Sequence, residues 1–193
     1  MLAQYGISDP GEEIVQKAIQ EGLKIVPIPG ACALINAIIA SGLSTKEFLF
    51  LGFLSSNTKE KKQKLEENKY EQKTIILYEA PHKLIDTLNA ILEVLGNRKI
   101  VLARELTKIH EEYIRGVVEE VIQKVSEPKG EFVIIIEGAQ KSKKQEEIED
   151  LSKLSLEDHY KYYENKGLLK KDIIKQIAKD RKQTKNEVYK YFL

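Results

Sequence analysis

Short runs of β-branched and aliphatic residues, each separated from the next by a segment of helical spacing, limit this chain to few folds. The runs cover residues 24–28, 48–54, 74–77, 99–102 and 132–136, with a shorter one at 112–115. Each has the length of a buried strand. Residues 31–40, 58–69, 81–95 and 117–125 carry the helical spacing between them. An earlier helix is expected to start at Asp9-Pro10-Gly11-Glu12, which supplies an N-cap acid, a proline at the first helical position and a glutamate at the third. Ile14, Val15, Ala18 and Ile19 then share one face, and Gly22 stops the helix. Strands alternating with helices predict an α/β fold, a sheet flanked by helices that cover both faces.

The alternation ends at Glu137-Gly138. Residues 139–150 shift to Lys, Glu and Gln and read as a linker. Residues 151–193 carry three short helical patterns, two of them opened by what read as capping boxes, Ser155-Leu156-Glu157-Asp158 and Thr184-Lys185-Asn186-Glu187. Gly167 sits where a helix stops. Ile173, Ile174, Ile177 and Ala178 make one apolar face; Val188, Tyr191 and Phe192 make another. Ala178, Lys182 and Val188 stand at helix-turn-helix spacing, with lysine where glycine is common. The whole chain of 193 residues has a formal net charge of +1, yet residues 168–193 hold eight Lys/Arg against three Asp/Glu. That concentration is a footprint for nucleic acid, with Lys182 and Lys185 as contacts. The plainer reading, a small helical module with ordinary surface lysines, is nearly as good. The expected division is 1–138 for the α/β domain, 139–150 for the linker and 151–193 for the helix-turn-helix-like module.

Several classes are excluded. A hydrophobic content of 42% argues against global disorder. The only cysteine, Cys32, precludes an internal disulfide framework or a Cys-based zinc site, and no metal is expected. No apolar stretch approaches the roughly 20 residues of a membrane span. Met1 to Tyr5 lacks a signal-peptide pattern, so a cytoplasmic protein is expected.

Polar residues crowd two of the predicted strand ends. Tyr78-Glu79-Ala80-Pro81-His82-Lys83 follows one strand and Ala103-Arg104-Glu105-Leu106-Thr107-Lys108 follows another. Ligands of open α/β sheets bind outside the carboxyl ends of the strands. If the two strands are neighbours, Glu79, His82, Lys83, Arg104, Glu105 and Lys108 form one cluster able to hold phosphate and ribose and to polarise a hydroxyl. Otherwise they are solvated rims. Pro29-Gly30-Ala31-Cys32-Ala33 joins a run to a helix through small residues, which would let a ligand approach the backbone or simply make a tight turn. The run Lys59-Glu60-Lys61-Lys62-Gln63-Lys64 reads as a solvated helix face.

Six segments taken in order resemble an rRNA 2′-O-methyltransferase branch of the tetrapyrrole methylase fold family. They are Gly6-Ile7-Ser8-Asp9-Pro10-Gly11, Pro27-Ile28-Pro29-Gly30, Phe48-Leu49-Phe50-Leu51-Gly52-Phe53-Leu54, Tyr78-Glu79-Ala80-Pro81-His82, Ala103-Arg104-Glu105-Leu106-Thr107-Lys108 and Lys129-Gly130-Glu131-Phe132. The likeness runs from Gly6 to Gly138, and the tail resembles the family's helical C-terminal region. It implies a mixed sheet flanked by helices, S-adenosylmethionine as cofactor, 16S rRNA of the small ribosomal subunit as partner, a homodimer, and methylation of a cytidine 2′-hydroxyl. Cofactor contacts are implied at Cys32, Ala33, Glu79 and Leu106. Glu79, His82, Arg104, Glu105 and Lys108 become the candidates for handling the reacting ribose, with Lys83 on RNA. The family also carries an N-terminal α/β domain ending in Ser-Asp-Ala-Gly-Thr-Pro. Met1-Leu2-Ala3-Gln4-Tyr5 stands in its place, so the chain is expected to be the C-terminal half and inactive alone. A non-catalytic nucleic-acid-binding module and, less favoured, a tetrapyrrole methyltransferase are the alternatives.

Overall fold

The computed structural model describes residues 11–125 and 128–192; the helix start at Asp9-Pro10, the segment Gly6 to Pro10 and Met1 to Tyr5 lie outside them. The chain divides into two units, Met1–Gln140 and Lys141–Leu193.

In the first unit, α1 (Gly11–Gln20) and α2 (Ala33–Ser41) precede β1 (Phe48–Phe53), α3 (Thr58–Glu67) and β2 (Thr74–Glu79). A single 3-10 turn (Pro81–Lys83) leads into α4 (Leu84–Leu95). Then come β3 (Lys99–Arg104), β4 (Glu112–Val117), α5 (Val118–Lys124) and β5 (Phe132–Ile136). Strand order is β1-β2-β5-β3-β4, with β1 parallel to β2 and β5 antiparallel to both β2 and β3. The sheet is therefore mixed, as the family resemblance implies; alternation of strands and helices alone would suggest parallel pairing throughout.

Side-chain alternation explains how two layers share one sheet. Ile75, Leu77, Ile100, Leu102, Phe132, Ile134 and Ile136 face α3, α4 and α5, where Leu65, Leu88, Ile91 and Val121 meet them. Ile76, Tyr78, Val101, Ala103, Val133 and Ile135 face α2, which supplies Leu34, Ala37 and Ile38. β2 and β5 are buried along their whole length, which is why their sequences are continuously apolar rather than alternating.

The run 24–28 is not a strand. Leu23, Val26 and Ile28 are well exposed, and no ladder partner is present among the described residues. Apolar composition permits an extended conformation; only pairing makes it a strand. Likewise α1 buries none of its residues.

The second unit begins with α6 (Lys143–Lys153), followed by α7 (Leu156–Asn165), α8 (Lys170–Asp180) and α9 (Lys185–Tyr191). Helix α6 corrects the expected linker over 139–150. Ser142 and Gln145 close a reciprocal capping box, and Leu151 is buried, two signals that the Lys/Glu-rich composition masks. Thr184 and Glu187 also form the reciprocal box, whereas the Ser155 hydroxyl accepts from the Asp158 N–H and donates to Asp158 Oδ2, with no return bond to the Ser155 backbone N–H among the described residues. The core is Ile173, Ile174, Ile177, Ala178 and Val188, with Phe192 packed against it. Tyr191 departs from the predicted face. It is 53% exposed and its hydroxyl lies 3.2 Å from Glu157 Oε1. Within this unit His159 and Asp180 are buried together, Nε2 lying 3.3 Å from Oδ2.

Candidate active site at one edge of the sheet

Because β1, β2 and β3 run in the same direction, their carboxyl ends emerge on one edge, joined there by the start of β5. The two polar segments do share that edge. They are not neighbours, however: Glu79 pairs with Phe132, and Phe132 pairs with Arg104. One strand of about 5 Å spacing to each side separates the rims by roughly 10 Å. The expectation of a single contiguous cluster from neighbouring strands is thus corrected to two rims flanking β5.

Glu79 is apart from the rest. It falls on the same side of β2 as Ile75 and Leu77, and it is only 1% exposed. Its Oε1 accepts from the Ala80 N–H at 2.9 Å, and its Oε2 accepts from the Thr87 hydroxyl at 2.6 Å. Lys61 Nζ in turn donates to Thr87 Oγ1 at 3.0 Å. A buried carboxylate and a buried ammonium are thus linked through one hydroxyl, which satisfies two groups that are costly to bury unpaired. The Glu79 side chain thus lies on the sheet face opposite to Cys32, Ala33 and Leu106. Lys61 likewise departs from the solvated face read for its run. It shares the inward side of α3 with Leu65, four residues on, a spacing that was available in the sequence.

Cys32, Ala33 and Leu106 do come together, packed on the α2 side of the sheet with Tyr78, Phe50 and Tyr113. Cys32 is the N-cap of α2 in extended conformation, and its side chain makes no capping bond. The Tyr78 ring is 1% exposed and stands edge-on to Phe50 and Phe53, with centroids 4.8 and 5.6 Å away. Burial, and then the Cys32 thiol, push its phenol above the ordinary range, against a lowering hydrogen bond with the Leu34 backbone. Tyr78 stands in a rim segment marked by its neighbours rather than its phenol, and Tyr113 lies in the mixed sequence of β4, where nothing marks it. Tyr113 donates to the Asn36 carbonyl at 3.3 Å and ties β4 to α2. Nothing lies within 4 Å of where a Cβ on Gly30 would stand. Small residues and the first N–H groups of α2 suit a ligand that brings a polar end to the helix N-terminus.

The turn after β3 is held by its own strain and contacts. Glu105 and Thr107 are non-glycine residues at φ 50 and 67, flanking Leu106, whose side chain is buried. Such conformations cost of order 1–3 kcal/mol and persist only where neighbours fix them. Glu105 Oε1 accepts from the Glu131 N–H at 3.0 Å and from Lys108 Nζ at 3.1 Å. The Glu131 N–H first, then the Lys108 ammonium, hold this carboxyl below the usual carboxylate range. Thr107 N–H donates to Glu111 Oε2 at 2.7 Å, and Arg104 pairs with Glu112 at 2.8 Å. Arg104 Nε is buried without a hydrogen-bond partner. On the other rim His82 is exposed, and Lys83 Nζ donates to Ser56 Oγ at 2.6 Å. Lys182 and Lys185 belong to the other unit, at the turn before α9 and at its first residue, both exposed. Among the described residues no group of three or more metal-binding side chains occurs.

A family model described as Tetrapyrrole (Corrin/Porphyrin) Methylases matches residues 6–122. The protein of Bacillus subtilis named Ribosomal RNA small subunit methyltransferase I is 46% identical over 185 residues, 95% of this chain and 63% of that protein. Those of Halalkalibacterium halodurans and Synechocystis sp. bear the same name, at 45% and 41% identity. They cover 96% and 97% of this chain and 65% and 67% of their own lengths. The chain therefore spans about two thirds of these relatives. Among solved structures, the methyltransferase CobJ matches at TM-score 0.52 and 16% identity, covering 70% of this chain and 60% of that one. A uroporphyrin-III C-methyl transferase from Thermus thermophilus, complexed with S-adenyl homocysteine, matches at TM-score 0.51 and 13% identity, covering 70% and 62%. These two likenesses show a common fold.

Proposed function

The chain belongs to the tetrapyrrole (corrin/porphyrin) methylase family, and from that membership we propose a part in S-adenosylmethionine-dependent methylation of small-subunit ribosomal RNA, at the 2′-oxygen of a cytidine ribose. The observation that carries the reading is the identity of above 40% with the rRNA methyltransferases, sustained over nearly the whole chain. Cys32 and Ala33 at the α2 N-terminus and Leu106 opposite would hold the cofactor, over the Tyr78 and Phe50 rings. When bound, S-adenosylmethionine supplies an electrophilic methyl group carried on a sulfonium.

The chain's own residues then have three tasks. Lys108, Arg104 and Lys83 offer positive charge on the rims flanking β5, suited to the phosphates on either side of a ribose. The turn 105–108 positions rather than reacts. A carboxylate already accepting two hydrogen bonds and held low in pKa, as in Glu105, is a weak base. His82, exposed on the opposite rim, is the side chain we assign to accept the 2′-hydroxyl proton.

The test is genetic. Deleting the coding segment in the source cell should remove one 2′-O-methylcytidine from small-subunit rRNA, read by nuclease digestion and mass spectrometry, and complementation should restore it. An unchanged 2′-O-methylation pattern overturns the reading. Complementation with His82→Ala should leave the nucleotide unmethylated or methylated much more slowly.

A further inference from the structure

Lysines in the second unit divide by helix. On the α6–α7 side Lys141 pairs with Glu149, Lys153 with Asp150 and Lys166 with Glu147. Residues 141–167 hold six lysines against seven acids. On the α8–α9 side the charge is not balanced. Lys170, Lys171, Lys175 and Lys185 line one groove together with Asn186 and Tyr189, and among the described residues Asp172 is its only acid. Among the described residues none of these four lysines has an ion-pair partner. Four ammonium groups gathered in this way repel one another, so the groove is set for an anion that brings several charges.

Helical spacing gives the groove two kinds of wall. Lys171 and Lys175 stand one turn apart on α8. Lys185, Asn186 and Tyr189 share one face of α9, while Val188 turns into the core. Tyr189 is 49% exposed, a large ring left in water beside cations. Cations that track a phosphate backbone, with an aromatic face on which a base can stack, are the two elements of single-strand recognition. An A-form duplex keeps its bases stacked on one another and so offers no free base face to Tyr189.

We propose that the groove between α8 and α9 binds an unpaired RNA strand. Lys170, Lys171, Lys175 and Lys185 take phosphates, Tyr189 stacks on a base, and the Asn186 amide reads a base edge. The assignment rests on the reading of ribosomal RNA as substrate and names the surface that grips it. Lys182 lines a different groove, with Asp180 and Arg181, and is not part of this one.

Fluorescence anisotropy of the full chain with a labelled single-stranded RNA of about 12 nucleotides, at several salt concentrations, tests the assignment. Four phosphate contacts predict a slope of log affinity against log salt of about −3, at about −0.7 per contact. The double variant Lys171→Glu with Lys175→Glu should flatten that slope by about half. Tyr189→Ala should lower affinity about tenfold and leave the slope alone. Lys161→Glu, the same charge reversal on α7, should change neither, and thermal melts of each variant control for folding. An unchanged slope in the double variant, an equal loss in Lys161→Glu, or duplex RNA or DNA held as tightly through the same lysines overturns the proposal. If the groove variants lose RNA while the source cell keeps its 2′-O-methylation on deletion, only the methylation reading falls. If methylation depends on the gene but the groove variants bind normally, only the groove assignment falls.

Discussion

Thr87 has the smallest side chain in the Glu79–Thr87–Lys61 chain and carries the most consequence. Its hydroxyl is the partner both charged groups share, and it is fully buried. Thr87→Val keeps the shape and removes the bridge, leaving a buried carboxylate and a buried ammonium each short of a partner. A loss of about 3 kcal/mol is expected, read by urea unfolding. A loss under about 1 kcal/mol would mean that the two charges find each other without the hydroxyl. His159 gives a pH-dependent counterpart in the other unit. Burial first, then the Arg181 guanidinium, push its imidazole below the ordinary value, against Asp180. The unfolded chain therefore binds the proton more readily than the folded one. The contribution of His159 is whole above the unfolded value of about 6.5 and is lost as pH falls through the lower folded value. Melting of the second unit should fall more steeply below about pH 6.5 in the parent than in His159→Gln.

The turn that follows β3 depends on an element distant in sequence. Gly130, at φ 83, leaves room for the Glu105 carboxylate; a Cβ there would stand 2.3 Å from its Oε1. Gly130→Ala therefore strains the backbone and displaces Glu105 from the Glu131 N–H. A destabilisation of about 1–2 kcal/mol is expected, with faster hydrogen exchange at the Glu131 amide. Such dependence explains what could be read from the sequence and what could not. β2, β3 and β5 were legible because continuous apolar runs bounded by helices have one good solution. α6 was not, because its capping box lies in a composition typical of linkers. The rims at Glu79 and Arg104 were legible as rims, since polar residues crowd the strand ends. Their separation was not, because β5 is last in the unit's sequence and nothing local says where it inserts. The inward turn of Glu79 follows from strand parity, yet parity has meaning only once the layers on each face are known. Lys182 shows a milder case. Its φ of 54 at the turn before α9 is the conformation that glycine would take without cost.

At the level of the whole chain, the apolar side of α1 and the segment after it have no cover among the described residues. Ile14 and Ile19 are 73% and 63% exposed, and Ile28 is 86% exposed. Exposed apolar surface, where it is contiguous, drives association. Sedimentation should show concentration-dependent self-association of the purified polypeptide, weakened in Ile14→Glu with Ile19→Glu. A monomer at high concentration in the parent would leave that surface without this role. The strand order has a consequence in time as well as in space. β5, the last strand made, occupies the centre of the sheet, between β2 and β3. Until residues 132–136 emerge during synthesis, the β1–β2 pair and the β3–β4 hairpin each keep an open inner edge, the kind that pairs with the wrong neighbour. Long-range pairing of this sort also slows folding. Translation therefore finishes the sheet from the outside inward, and nascent chains arrested before Phe132 should stay sensitive to protease, whereas chains that expose Ile136 should not. The apolar strand at the heart of the domain is also its latch, and for most of its synthesis the domain is unlatched.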